Sequence, residues 1–282
     1  MKFNRDSAEI FIPDNTDEIN ALQRTTHLAI GAHQDDLEIM AAGPIIDCFK
    51  KADQWFSAVV VADGRGSPRN GAYAEYSDDE MRLVRFQEQR KAAQIGEYSA
   101  WMMLDYPSRD IKNGKDTRII DDLVKILENT RPQIVYTHNL ADKHDTHVGV
   151  ALKTIAAIRQ LPLSARPAKV LGCEVWRGLD WMVDEDKILI NLSERENLQA
   201  ALVAVFDSQI SGGKRYDLAA QARRRANATY LTSHSVDQAA SLAYAMDMTP
   251  LIQDDNLDPA AFIQRHIQRM LQEVQDRLSR LQ

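Results

Sequence analysis

Cysteine is nearly absent. The chain has two, Cys48 and Cys173, in no CxxC or other metal spacing. That excludes a disulfide framework and fits a reducing compartment. Long apolar runs are missing too. Nothing approaches the roughly 20 consecutive apolar residues that span a bilayer, and the acidic start of the chain lacks the apolar core of an export signal. The expectation is a cytoplasmic protein with no membrane span. Basic residues are in deficit, with 34 Lys and Arg against 41 Asp and Glu and a formal net charge of −7. No cationic excess is left to displace counterions from a phosphate backbone, so a nucleic-acid partner is not expected. There is no G-x-S-x-G elbow, and a serine hydrolase is unsupported. No G-x-G-x-x-G opens the first helix, so a dinucleotide site is not implied either. Internal repeats and low-complexity segments are lacking as well. What remains is 282 residues, 44% hydrophobic and 27% charged, an ordinary globular composition with room for one large α/β domain or two small ones.

Short apolar runs alternate with helical patterns. His27–Ala32 reads as a buried strand, followed by a helix from about Leu37 to Lys50. Trp55–Val61 is a second strand, which opens into a polar loop, and a helix runs from about Asp79 to Gly96. Trp101–Leu104, Ile134–Thr137 and Lys169–Val175 are further strands, with helices over Arg118–Asn129 and Val148–Ile158. Strand and helix at this spacing imply right-handed crossovers, hence a Rossmann-like, mostly parallel sheet with helices on both faces. Residues 1–25 read as a polar arm, 26–190 as the Rossmann-like core and 191–282 as a mainly helical part of the same domain. In the last stretch, Ile263, Ile267, Met270, Val274, Leu278 and Leu281 form one apolar stripe. A helix docked on the body is the plain reading. A subunit contact, making a homo-oligomer, is the sharper one.

Two strand ends carry clusters of metal-type ligands. His33-Gln34-Asp35-Asp36 follows the first strand, and the loop from His138 through Asp142 and His144 to His147 follows Ile134–Thr137. In a parallel sheet both loops open on one edge, where ligands bind. They can therefore converge although roughly a hundred residues separate them. Two imidazoles and a carboxylate suit Zn²⁺ with positions left open; iron or another divalent ion would accept the same donors. A second aspartate beside the first is then free to take a proton from the water on the metal. The spare histidine could donate a proton or steady an oxyanion. The plain alternative for the paired aspartates is an N-cap of the following helix.

The run Ala32-His33-Gln34-Asp35-Asp36 after the first strand and His144-Asp145-Thr146-His147 after the fourth resemble the N-acetylglucosaminyl-phosphatidylinositol de-N-acetylases, the PIG-L or LmbE-like family. The helix running from Arg85-Phe86-Gln87-Glu88 through Gly96 is similar to that family's second helix, and the resemblance covers about residues 26–160. It implies a zinc-dependent hydrolase that removes an N-acetyl group from an amino sugar or sugar conjugate. By motif position His33, Asp36 and His147 would hold the zinc and Asp35 would be the general base. His144 would stabilise the tetrahedral intermediate and protonate the leaving amine. The chain departs from the pattern at Gln34 (usually proline), at Leu37 (often acidic, with Glu38 one later) and at Thr146 (usually aspartate). The last change leaves Asp145 and Asp142 both open as the acid that orients His144. An amidohydrolase for a non-sugar N-acyl substrate and a non-catalytic binding module are the alternatives. A spare base argues against the module.

Weaker signals complete the reading. Arg65, in the glycine-containing loop after the second strand, is the candidate for gripping a phosphate or sugar hydroxyl, ahead of Arg69. Asp105, Tyr106 and Arg109 read first as turn chemistry, His138 as strand-end packing and Arg223–Arg225 as a solvated helix face.

Overall fold

The apolar runs become neighbouring strands of one sheet. The computed structural model describes residues 1–282. In chain order the elements are β1 (Glu9–Phe11), α1 (Glu18–Gln23), β2 (His27–Gly31), α2 (Asp36–Met40), α3 (Ala42–Cys48), β3 (Phe56–Ala62), α4 (Asp78–Ile95) and β4 (Ala100–Tyr106). Next come α5 (Ser108–Lys112), α6 (Arg118–Thr130), β5 (Ile134–His138), α7 (Asp145–Gln160), β6 (Lys169–Cys173) and β7 (Lys187–Asn191). The chain ends with α8 (Glu196–Ala204), α9 (Asp207–Ile210), α10 (Tyr216–Thr229), β8 (Leu242–Asp247), α11 (Pro250–Gln253) and α12 (Pro259–Leu281).

The sheet order is β1-β4-β3-β2-β5-β6-β8-β7. Strands β4, β3, β2, β5 and β6 are mutually parallel, while β1, on β4, and β8, between β6 and β7, pair antiparallel. Every residue of β3 and β4 is buried, as expected where helices cover both faces. Alternation divides the side chains between two cores. Leu28, Ile30, Val59 and Met102 face one way, and Ala29, Ala58, Val60 and Trp101 the other. The mostly parallel α/β fold and the mainly helical C-terminal part are as the sequence predicts. No helix is long and apolar enough to cross a membrane.

Three strands extend the sheet beyond the expected five. Glu9–Phe11, inside the expected polar arm, forms an edge strand on β4. Asn4 bonds the Asp122 carboxylate through its backbone N–H at 3.0 Å and its side chain at 2.9 Å. The helix expected over 37–50 is two, parted at Ala41. Pro44 lacks the N–H that would have reached the Met40 carbonyl, so an unbroken helix cannot form there.

The chain runs outward from β2 to β3 and β4, then crosses back to β5 and β6. The order reverses between β2 and β5, and a crevice opens at their carboxyl ends. Both ligand-rich loops leave from that point. Gly172, in β6, packs against the start of the second loop: a Cβ there would lie 2.8 Å from Met248 Sδ and 3.0 Å from Asn139 Cα. Gly172→Ala is expected to cost about 1–3 kcal/mol by overpacking, read from urea unfolding. A change under about 0.5 kcal/mol would show that the Asn139 backbone can yield.

Candidate metal centre and active site

His33 leaves the end of β2, and Asp36 opens α2 three residues on. The Asp36 carboxylate accepts the His33 backbone N–H at 2.7 Å, which closes the turn. His147 lies in the first turn of α7, after β5. Its Nε2 lies 3.2 Å from Asp36 Oδ2 and 3.2 Å from His33 Nδ1, and the His33–Asp36 separation is also 3.2 Å. Zinc bonds of about 2.05 Å at tetrahedral angles separate neighbouring donors by about 3.3 Å. The three atoms thus form one face of a tetrahedron of the right size, and the donor set fits a divalent ion. The sequence-predicted ligands His33, Asp36 and His147 are brought together.

The electrostatics favour a positive charge at that point. Burial would raise the Asp36 carboxyl, but His147 and His138 carry it well below the usual carboxylate range. Burial would lower His147, but Asp36 and then Asp142 lift it to about 9. His33 is held down to about 4, chiefly by burial.

Asp35 is buried with its backbone at φ 87°, a region L-residues rarely adopt. It occupies the N-cap position of α2, yet its side chain makes no cap hydrogen bond. The capping alternative therefore does not describe Asp35. Its N–H donates to Gln89 Oε1 at 3.3 Å, and its Oδ2 lies 3.4 Å from Arg85 Nη2. Burial pushes the carboxyl well above its ordinary range, opposed by Arg85 and reinforced by Asp36 and Glu38. Arg85 also donates to the Gln34 carbonyl at 2.5 Å and to Ser67 Oγ. Gln34 packs under Gly64, whose φ of 76° and lack of Cβ allow the contact; a Cβ would lie 2.5 Å from Gln34 Oε1.

His144 caps α7, its Nδ1 accepting the Thr146 N–H at 3.3 Å. A neutral ring so engaged carries its proton on Nε2. Neither open acid bonds the His144 ring. Asp142 takes the backbone N–H groups of His144 at 3.0 Å and Trp176 at 3.1 Å, and stands 3.5 Å from His147 Nδ1. Asp142 supports His147. His138 packs, as its sequence position suggests: its Nε2 accepts the Ala32 N–H at 2.9 Å and its ring stacks 3.8 Å from that of His147.

A cavity of about 530 Å³ opens above this cluster, with His33, Asp35, Asp36 and His144 among its walls. Arg65 is not among its lining residues; its guanidinium is committed to Asp63 at 3.2 Å and to Asp79. Arg85 lines the cavity instead. Ser67, Ser108, Lys112, Trp176, Lys214 and Tyr216 complete much of the wall, and the sequence reading singled out none of them. Most lie on loops or short helices that follow parallel strands, the one signal that points to them. Lys214 and Tyr216 come from the α9–α10 region, and no local pattern marks them. Asp105 and Tyr106 are engaged elsewhere, with Arg82 at 2.7 Å and Asp122 at 2.8 Å.

The expectation of a solvated arginine face fails for Arg224. It is buried and donates to the carbonyls of Glu38 and Ile39, both at 3.0 Å. The helix α2 is five residues long, so those carbonyls lack complete helical partners and need another donor. Glu38, a buried residue of α2, accepts from Gln89 Nε2 at 2.6 Å and Tyr98 OH at 2.7 Å, and burial raises it to about 7.

Residues 28–158 match the family described as GlcNAc-PI de-N-acetylase, PIG-L, so the resemblance read from the two motifs is borne out over that segment. Solved structures share the fold. N,N′-diacetylchitobiose deacetylase from Pyrococcus horikoshii has a TM-score of 0.64 at 16% identity, covering 82% of this chain and 86% of its own. GalB, a 4-carboxy-2-hydroxymuconate hydratase from Pseudomonas putida KT2440, has a TM-score of 0.61 at 16% identity, covering 79% and 95%. A zinc-inhibited form of teicoplanin deacetylase Orf2 has a TM-score of 0.55 at 12% identity, covering 79% and 97%. At such identities the likeness establishes architecture, and the hydratase among these proteins shows that the architecture does not fix the reaction.

Proposed function

We propose that this chain, which carries the PIG-L pattern over residues 28–158, is a divalent-metal-dependent N-deacetylase for an N-acetylated amino sugar or sugar conjugate. The observation that carries the reading is the triangle of His33 Nδ1, Asp36 Oδ2 and His147 Nε2, 3.2 Å on each edge. A second buried carboxylate, Asp35, lies outside that triangle and makes no cap hydrogen bond. Zinc or iron suits the donors, and a divalent ion held there supplies a Lewis acid that makes water nucleophilic near neutral pH and polarises the amide carbonyl.

The remaining roles belong to this chain's side chains. Asp35 takes the proton of the attacking water, and its raised carboxyl suits a base working near neutrality. Arg85 keeps that carboxylate oriented and partly compensated. His144 offers Nε2–H to the developing oxyanion. With Nδ1 already accepting from Thr146, loss of the Nε2 proton would leave an imidazolate. The proton for the leaving amine therefore comes from Asp35, which has just received one. This division differs from the resemblance, which gives the second transfer to His144. Trp176 and Tyr216, with ring centroids 6.2 Å apart, offer faces for a sugar ring, and Ser67, Ser108, Lys112 and Lys214 are within the same cavity for its hydroxyls.

The test couples metal analysis to a free-amine assay over a panel of N-acetyl sugars and simple N-acyl amides. Amine release that a chelator abolishes and a divalent ion restores is expected. Metal-loaded protein inert on every sugar and amide would end the proposal, and turnover confined to non-sugar amides would replace the sugar. Asp142→Asn should weaken metal binding about 10–100-fold, since it supports His147 without ligating. Chelator competition measures this, and an unchanged affinity would remove Asp142 from that role.

A further inference from the structure

The helix α12 stands clear of the body over most of its length. An amphipathic surface helix normally turns its apolar stripe to the core; of this helix only Phe262 is buried. Its N-terminus is anchored by the Asp258 cap on the Ala261 N–H at 2.9 Å and by Ile263 against the core. Beyond that, the polar face touches the body at His266 and Arg269. His266 Nδ1 lies 2.8 Å from Asp186, and Arg269 pairs with the same carboxylate. A basin of about 440 Å³ between the helix and the 184–186 turn is lined entirely by Asp184, Glu185, Glu273, Asp276, Arg277 and Arg280. The opposite face presents Ile267, Leu271, Val274, Leu278 and Leu281, from 38% to 77% exposed.

Those five positions alternate in steps of four and three, the a and d sites of a coiled-coil heptad. His266, Arg269, Glu273, Asp276 and Arg280 then fall at c and f, the back of such a helix, where His266 and Arg269 tie it to Asp186. The flanking e and g sites are Gln268, Gln275, Gln282, Ile263, Met270 and Arg277. A flank of one charge would call for a partner of the other sign. This one, with a single charge, faces its own copy without repulsion: in a parallel pair Arg277 meets Gln282, and in an antiparallel pair Met270. We infer that α12 is a seam between copies of this chain, which associate through the Ile267–Leu281 stripe. The stripe is about 21 Å long at 1.5 Å per residue, short of a standard interface, so the association is expected to be concentration-dependent.

Sedimentation velocity on the full chain from about 1 to 300 μM tests this. The mass is expected to rise to an assembled species with concentration. L271E/L278E, at two exposed positions, should stay monomeric throughout with its circular dichroism and thermal midpoint unchanged. L271M/L278M should associate within about tenfold of the original protein. A wild-type monomer at every concentration overturns the inference, whatever else the stripe is found to hold. So does an assembly of any size that L271E/L278E leaves intact.

Discussion

Asp35→Asn is expected to bind its metal as the original protein does and to lose turnover by a factor on the order of 10² to 10⁴. The two carboxylates are adjacent in sequence but differ in what they touch. Asp36 contributes a corner of the donor triangle, whereas Asp35 meets Arg85 at 3.4 Å and leaves its helix uncapped. Asparagine fills the same volume and cannot accept the proton of water. The loss should fall on kcat with KM little changed, because an interaction made only in the transition state is removed. Stability should move the other way. A carboxyl whose folded pKa lies above its unfolded value costs stability as pH rises through that value, since the ionised form is disfavoured by burial. Removing the charge should therefore leave the thermal midpoint of the metal-free protein at pH 7 unchanged or higher. Turnover within tenfold of the original, at full metal content, would take Asp35 out of the mechanism.

How much of this could be read in advance depends on range along the chain. The two ligand loops were legible because each is a polar, histidine-rich run directly after an apolar strand, and both strands belong to the parallel set. Their meeting follows from topology alone, the reversal of order between β2 and β5. Two of the added strands, β1 and β8, were not legible. Glu9–Phe11 is three residues long, and Leu242–Asp247 reverses direction against β6, so no strand–helix–strand rhythm announces either. A short apolar run such as the latter suits a buried helix equally well. The choice of arginine turned on the same difference. Arg65 stands nearer a strand end, but Asp63 and Asp79 claim it. Arg85 sits within α4, with Glu88 and Gln89 buried on the same helix. Three polar groups buried in one amphipathic helix are the signal that was available: such groups are retained where a partner satisfies them, and here the partners are Asp35, Ser208 and Glu38.

His147→Ala should empty the metal site. Two donors would remain, His33 and Asp36, both from one turn after β2, and a structural or catalytic zinc needs at least three protein ligands. If apparent zinc binding of roughly 10–16 kcal/mol is shared among the donors, one imidazole accounts for about 3–5 kcal/mol, or a 10²–10⁴-fold loss of affinity. Metal content after desalting should fall to near zero, with added imidazole restoring part of it through the space left behind. His138→Ala is the control. That ring stacks on His147 but spends its Nε2 on the Ala32 N–H, so the metal should stay while stability drops. The chelated proteins give a second readout. The folded His147 is lifted to about 9, above its unfolded value of about 6.5. Its contribution, up to about 3 kcal/mol, is complete below pH 6.5 and is lost as pH rises toward 9. Chelated original protein should lose stability across that interval, and His147→Ala should show no such slope. Full metal occupancy in His147→Ala, or the same slope in both proteins, would dissolve the triangle on which the deacetylase reading stands.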